Sequence, residues 1–123
     1  NLNHFVKIID FVDNPFPLLK QTELFILSSR YEGLPNVLLE ALSLKKFIIS
    51  SNCPTGPKEI LLNGKGGILF KVGDYKQLAK KIKYYYQNKQ ICQKLLNNSF
   101  EGLKRFDAMK NLNEYLLLIK SIN

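Results

Sequence analysis

Short, mainly apolar runs recur along the first 70 residues of the chain, and polar stretches containing Asn, Gly or Pro separate them. Runs of this length are typical of strands buried on both faces of a parallel sheet. Because stretches of helical pattern lie between the runs, the order is that of an α/β fold, with a small parallel sheet flanked by helices. The predicted strands cover residues 5–9, 24–27, 47–49 and 67–70.

Capping residues mark the helices between these strands. Asn14 followed by Pro15 begins the first one, since Asn is a preferred N-cap and Pro fits the first helical position. Asp74 caps a later helix in the same way. The predicted helices cover residues 15–22, 35–44, 58–62 and 74–86.

The last third of the chain has helical periodicity and no strand-like run. Apolar residues recur there with the spacing of one helix face, which predicts a helical tail. We expect residues 1–87 to form a partial Rossmann-like domain, and residues 88–123 to add helices that pack on it. The two predicted apolar stripes are Ile91, Leu95, Leu96 and Ser99, and then Leu112, Tyr115, Leu116 and Ile119.

Composition excludes several classes of protein. At 123 residues and 46% hydrophobic, the chain suits one packed domain rather than a disordered segment. No apolar run approaches the ~20 residues of a membrane span, and nothing resembles a signal peptide, so we expect a cytoplasmic chain. Cys53 and Cys92 allow one bridge, but reduced thiols suit this composition better. With a single His, we expect no metal site.

The net charge of +8 is unevenly distributed. Residues 1–70 carry seven basic and six acidic side chains, whereas residues 71–123 carry eleven basic and four acidic ones. The basic excess therefore belongs to the tail, and the segment with the sheet is close to neutral.

Two polar loops follow predicted strands, over residues 28–34 and 51–56. In an open α/β sheet, ligands bind beyond the carboxyl ends of the strands, where such loops lie. Each loop leads into a helix N-terminus, whose unpaired N–H groups favour phosphate. Gly33 allows the backbone to approach a ligand closely, and Pro35 begins its helix without losing a needed donor. These features predict a phosphate or nucleotide site, although many α/β proteins share them.

The helix over residues 35–44 is apolar on nearly every side. Its polar residues Asn36, Glu40 and Ser43 form one narrow stripe. The stripe is either a solvated face or the wall of a cleft, in which Glu40 accepts hydrogen bonds from ligand hydroxyl groups. Glu32, in the preceding loop, lies near the same helix N-terminus. Two carboxylates beside a phosphate-binding helix end suit a sugar nucleotide.

The segment Ser29–Ala41 resembles the E-x7-E signature of the GT-B retaining glycosyltransferases, of the family 4, group 1 type. Asn14-Pro15 before it, Asn52–Ile60 after it, and Gly67–Asp74 further on match the family in order and spacing. The resemblance covers about residues 5–87, and the combination is far more specific than a lone E-x7-E.

The resemblance implies a role for each matching residue. It assigns Glu40 to the ribose hydroxyls of the donor nucleotide, and Glu32, as the catalytic residue, to the donor sugar and its surroundings. The donor is expected to be a UDP-sugar, bound without metal and transferred with retention. Further donor-binding residues are Gly33, Leu34, Pro35, Asn36 and Val37, through their backbone N–H groups where they have one, with Arg30 and Thr55.

The resemblance also implies what accompanies this segment. It identifies the chain as the C-terminal, donor-nucleotide-binding part of an enzyme whose acceptor-binding N-terminal domain is missing here. Relatives assemble cell-surface polysaccharides on glycan or lipid-linked acceptors, so contact with the inner face of the membrane is an open alternative. We expect the chain alone to be inactive in transfer and to bind nucleotide weakly.

A second function class remains open from the sequence. Tyr84, Tyr85 and Tyr86 lie beside lysines, and this mixture occurs in proteins that bind anionic lipid or nucleic acid. Tyrosines packed on a sheet with solvated lysines explain the same pattern. Such a basic module would bind anionic vesicles or DNA without responding to a UDP-sugar. We favour the glycosyltransferase and expect no nucleic-acid partner.

Overall fold

The computed structural model describes residue 2 and residues 4–122, with side chains up to residue 121. Three strands and six α-helices occupy the described part, with short 3-10 turns at Leu62–Gly64 and Leu103–Phe106. In chain order, the elements are α1 Phe16–Gln21, β1 Leu24–Leu27, α2 Asn36–Ser43, β2 Phe47–Ser51, α3 Pro57–Ile60, β3 Ile68–Phe70, α4 Tyr75–Gln87, α5 Lys89–Gly102 and α6 Ala108–Ile122.

The strands form one parallel sheet in the order β1-β2-β3. Ile49 of β2 pairs with Ile26 on one side and with Ile68 on the other. All five residues of β2 are buried, as expected of a central strand covered on both faces. The predicted fold class, an α/β fold with a small parallel sheet and a helical tail, is confirmed.

The core lies between this sheet and the helices that cover it. Leu38 and Leu42 of α2 are fully buried against the sheet, with Ile48 and Ile49 of β2. On α4, Tyr85 stacks on Phe47 with ring centroids 5.0 Å apart. Helix α2 is therefore fixed along its apolar side, which sets the position of its N-terminus at the loop edge of the sheet.

The predicted strand over residues 5–9 is wrong. This segment forms no strand, and its apolar side chains are exposed, Phe5 by 85% and Ile8 by 91%. A strand needs a neighbour to accept and donate its ladder hydrogen bonds, and no described strand lies beside these residues. Apolar, β-branched composition alone cannot replace that partner, so the described sheet has three strands rather than four.

The buried face of α5 differs by one position from the predicted one. Cys92, Leu96 and Ser99 are buried and Leu95 is partly buried, but Ile91 is 49% exposed. The small Cys92 thiol packs in the core position that the larger Ile91 was expected to fill. Burial also raises the pKa of the Cys92 thiol above its ordinary value. Cys92 is thus a neutral core residue, and neither cysteine forms a disulfide.

Helix α6 forms as the periodicity predicts, but its apolar side chains are not covered. Leu112, Tyr115, Leu116 and Ile119 are all at least 46% exposed. In contrast, α5 contributes buried residues to the core. The division of the chain near residue 87 stays a prediction. Within the described residues, no helix is both long and apolar enough to cross a membrane.

Candidate functional site

Two loops meet beyond the carboxyl end of the sheet. The first site loop, residues 28–35, follows β1, and the second site loop, residues 52–56, follows β2. They lie at one edge because β1 and β2 are parallel neighbours. The buried Ser51 hydroxyl, at the end of β2, donates a hydrogen bond to the Ser29 carbonyl at 2.6 Å. This bond ties the first site loop to the central strand.

Contacts between the loops fix them further. The Thr55 hydroxyl donates to the backbone carbonyl of Glu32 and also lies 2.7 Å from the Pro54 carbonyl oxygen. Gly56, at φ 81°, passes so close to the first site loop that a Cβ there would lie 2.3 Å from Cδ of Pro35 and 2.5 Å from the Gly33 oxygen. Only glycine permits this approach, so the second site loop supports the start of α2 directly.

Helix α2 begins at this junction. Pro35 is its N-cap residue, is buried, and supplies no side-chain cap. The Leu38 N–H bonds to the Pro35 carbonyl at 2.9 Å, which leaves the amides of Asn36 and Val37 at the open end of the helix. Free amides and the helix dipole favour an anion at this point.

One candidate carboxylate, Glu32, precedes α2 in the chain, and the other, Glu40, lies one turn into the helix. Glu32 and Glu40 are both partly buried. Among residue 2 and residues 4–122, no hydrogen bond or ion pair reaches either carboxylate, and the Ser43 hydroxyl bonds instead to the backbone carbonyl of Glu40, at 2.7 Å. Each carboxylate is therefore available to accept hydrogen bonds from a ligand.

The structure shows direct contacts at the loop junction for some of the predicted site residues and not for others. Glu32, Gly33, Pro35 and Thr55 meet at the loop junction. Arg30 and the half-exposed Leu34 point to no described partner. The donor-binding and catalytic roles of these residues stay predictions.

Sequence reasoning missed the two residues that hold the loops in place. The sequence pattern places Ser51 and Gly56 in a polar loop and indicates no structural role for either. A serine closing an apolar strand, and a glycine directly before Pro57, were the available signals. Neither signal tells which loop lies opposite, because that depends on the pairing of β1 with β2.

The described part of the chain holds no group of three or more His, Cys, Asp or Glu side chains placed to bind a metal ion. Cys53 lies in the second site loop but is buried, with 2% of its surface exposed. The polar groups that the two site loops and the start of α2 contribute are backbone amides, hydroxyl groups and carboxylates.

Comparison with known proteins decides the family. The model of the family "Glycosyl transferases group 1" matches residues 1–102. The chain belongs to this family. Its members include an uncharacterized glycosyltransferase of Methanocaldococcus jannaschii, MJ1059, which is 35% identical over 98% of this chain and 36% of its own length. The resemblance drawn from the E-x7-E segment is confirmed.

Two bacterial relatives carry more specific names. An alpha-1,4-N-acetyl-D-galactosaminyltransferase of Campylobacter jejuni, named for a PP-undecaprenol-linked glycan, is 31% identical over 95% of the chain and 33% of its own length. The capsular polysaccharide biosynthesis glycosyltransferase CapM of Staphylococcus aureus is 29% identical over 85% of the chain and 27% of its own length. The chain thus spans about a third of the length of these relatives.

Solved structures share the fold at low sequence identity. TarM superposes with a TM-score of 0.74 at 21% identity, over 88% of this chain and 22% of its own. Anabaena Alr3699/HepE, solved in complex with UDP, superposes with a TM-score of 0.73 at 20% identity, over 86% of this chain and 29% of its own. Both are GT-B glycosyltransferases, so the chain has the fold of part of a GT-B enzyme.

Proposed function

We propose that this chain is the donor-binding part of a glycosyltransferase that transfers a hexose from a UDP-sugar with retention. The observation that carries the proposal is the loop junction at the start of α2, which combines open backbone amides with two unpaired carboxylates, Glu32 in the preceding loop and Glu40 one turn into the helix. The UDP complex of the structurally similar HepE supports a nucleotide-bound state for this fold.

Each site residue then has a defined task. Glu40 accepts hydrogen bonds from the ribose hydroxyls, and the amides of Asn36 and Val37 hold the diphosphate. Arg30 is exposed within the first site loop, and its guanidinium pairs with a phosphate oxygen. Thr55 keeps the Glu32 backbone in place through its hydroxyl.

The reaction follows from this placement. The bond between the anomeric carbon and the diphosphate oxygen breaks, and the departing UDP takes the electron pair. The α2 N-terminus and Arg30 stabilise that negative charge, so this residue set needs no metal. The acceptor hydroxyl forms the new bond and gives its proton to a departing phosphate oxygen. Glu32, at the sugar end of the site, orients the donor sugar and stabilises its developing positive charge.

The acceptor site belongs to the remainder of a longer enzyme. The chain spans about a third of its relatives, and their names include PP-undecaprenol-linked and capsular glycans. We therefore place this enzyme in cell-surface polysaccharide biosynthesis, working on a glycan or lipid-linked acceptor at the cytoplasmic face of the membrane. Acceptor choice rests with the N-terminal domain that completes a GT-B enzyme.

A thermal shift with UDP tests the donor site. We expect UDP to raise the melting temperature of the chain, and Glu40→Ala to remove most of that rise because the ribose contact is lost. Glu59→Ala is the matched control, since Glu59 is an exposed carboxylate at the start of α3. An equal rise in all three proteins would contradict the proposal, and so would sugar transfer by the 123-residue chain alone.

A further inference from the structure

A lysine-lined cavity lies at the opposite edge of the sheet from the loop junction. The amino ends of β1 and β2 and the carboxyl ends of α1 and α2 meet there around a cavity of about 480 Å³. Four lysines and one carboxylate are the charged side chains of its lining, which gives the cavity a net charge of +3. The charged residues are Lys20, Glu23, Lys45, Lys46 and Lys89.

Contacts within the protein account for two of these ammonium groups. Lys46 donates to the Lys20 carbonyl at 2.8 Å, at the carboxyl end of α1, where a cation is favourable. Lys89 pairs with Glu23, and it also lies over the ring of Tyr85, 4.0 Å from the centroid. The hydrogen bond to Glu23, ahead of the weaker effect of Tyr85, raises the pKa of Lys89.

The ammonium groups of Lys20 and Lys45 have no acceptor among the described residues. The Lys45 ammonium group instead makes a cation–π contact, with its Nζ 4.8 Å from the centroid of the Phe100 ring. Its backbone φ is 54°, in the left-handed region that favours glycine and costs other residues energy. A lysine therefore occupies a position where the backbone alone prefers glycine.

From this convergence of unpaired lysines on a cavity, we propose that the pocket at the amino edge of the sheet binds a phosphate-bearing anion. The two free ammonium groups supply charge-assisted hydrogen bonds, and the Tyr85 and Phe47 side chains form an apolar wall. A volume of about 480 Å³ accommodates a diphosphate or the phosphorylated headgroup of a lipid. The pocket lies at the carboxyl end of α2, whereas the open amides of the proposed donor site lie at its N-terminus, so the two sites are separate.

Two probes distinguish the sources of the phosphate. Calorimetric titration with sodium pyrophosphate at constant ionic strength tests free anions, and sedimentation with phosphatidylglycerol–phosphatidylcholine vesicles tests a headgroup. We expect saturable binding of one probe, weakened by at least about fivefold in Lys45→Gly, as expected for loss of a charge-assisted bond. Lys45→Gly also relieves the φ of 54°, so this variant is expected to fold at least as well as the parent chain.

The matched control is Lys65→Gln, which removes an exposed lysine outside the pocket. Lys20→Gln repeats the test at the second free ammonium. Binding that is lost in both pocket variants and kept in Lys65→Gln supports the proposal, with pyrophosphate or vesicles as the identified source. The absence of saturable binding to both probes overturns it, as does binding that Lys45→Gly leaves unchanged. A donor site that fails to bind UDP changes neither result.

Discussion

At the scale of single residues, Gly56 decides whether the two site loops can pack together at the start of α2. The two site loops touch at this glycine, and the space for a side chain is already occupied by Pro35 and Gly33. Gly73 has a similar φ, 77° against 81°, but its added Cβ would meet nothing within 4 Å. Comparing the two glycines therefore shows how much more a side chain costs where the site loops touch.

We predict that Gly73→Ala lowers the free energy of unfolding by about 1–2 kcal/mol, the cost of left-handed backbone in a residue with a Cβ. Gly56→Ala is expected to cost about 2 kcal/mol more, because Pro35 and the Gly33 carbonyl must move. Urea unfolding followed by circular dichroism measures both. Equal losses would show that the loops are not in close contact at Gly56.

At the scale of elements, α4 shows how a cap and a packed ring position one helix. The Asp74 carboxylate accepts a hydrogen bond from the Gln77 N–H at 2.8 Å, as the sequence predicts. At the other end of the helix, Tyr85 stacks on Phe47 of β2. The cap begins the helix and the ring holds it against the sheet.

We expect Asp74→Ala to lower the free energy of unfolding by about 1 kcal/mol, the usual cost of an N-cap. Asp74→Asn should keep most of that stability, because an amide oxygen accepts the same hydrogen bond. Thermal unfolding of the parent chain, Asp74→Asn and Asp74→Ala measures this order of stability. A loss in Asp74→Asn as large as in Asp74→Ala would mean that the negative charge, rather than the hydrogen bond, stabilises α4.

Elements were predictable from sequence where their determinants are local. The apolar runs of β1 and β2 and the cap at Asp74 predicted structures that the chain forms. The segment over residues 5–9 carries the same local pattern and forms no strand, since pairing depends on a neighbour that sequence pattern does not supply. The E-x7-E segment located the loop junction, whereas the Gly56 contact depends on the arrangement of two parallel strands.

At the scale of the whole molecule, opposite edges of one sheet carry different chemistry. The carboxyl edge presents backbone amides and two carboxylates, and the amino edge presents four lysines around a cavity. Apolar side chains remain exposed on α6 and over residues 5–11. Since the chain spans about a third of the length of its relatives, we propose that the rest of a longer enzyme covers part of these surfaces.

Nuclear magnetic resonance of the 15N-labelled chain during a UDP titration tests the donor site most directly. The account predicts saturable shifts of the amides of Gly33, Asn36, Val37 and Thr55, and their loss in Glu40→Gln. Glu59→Gln should keep them. The absence of a saturable shift at the start of α2, or shifts there that Glu40→Gln leaves unchanged, would contradict it.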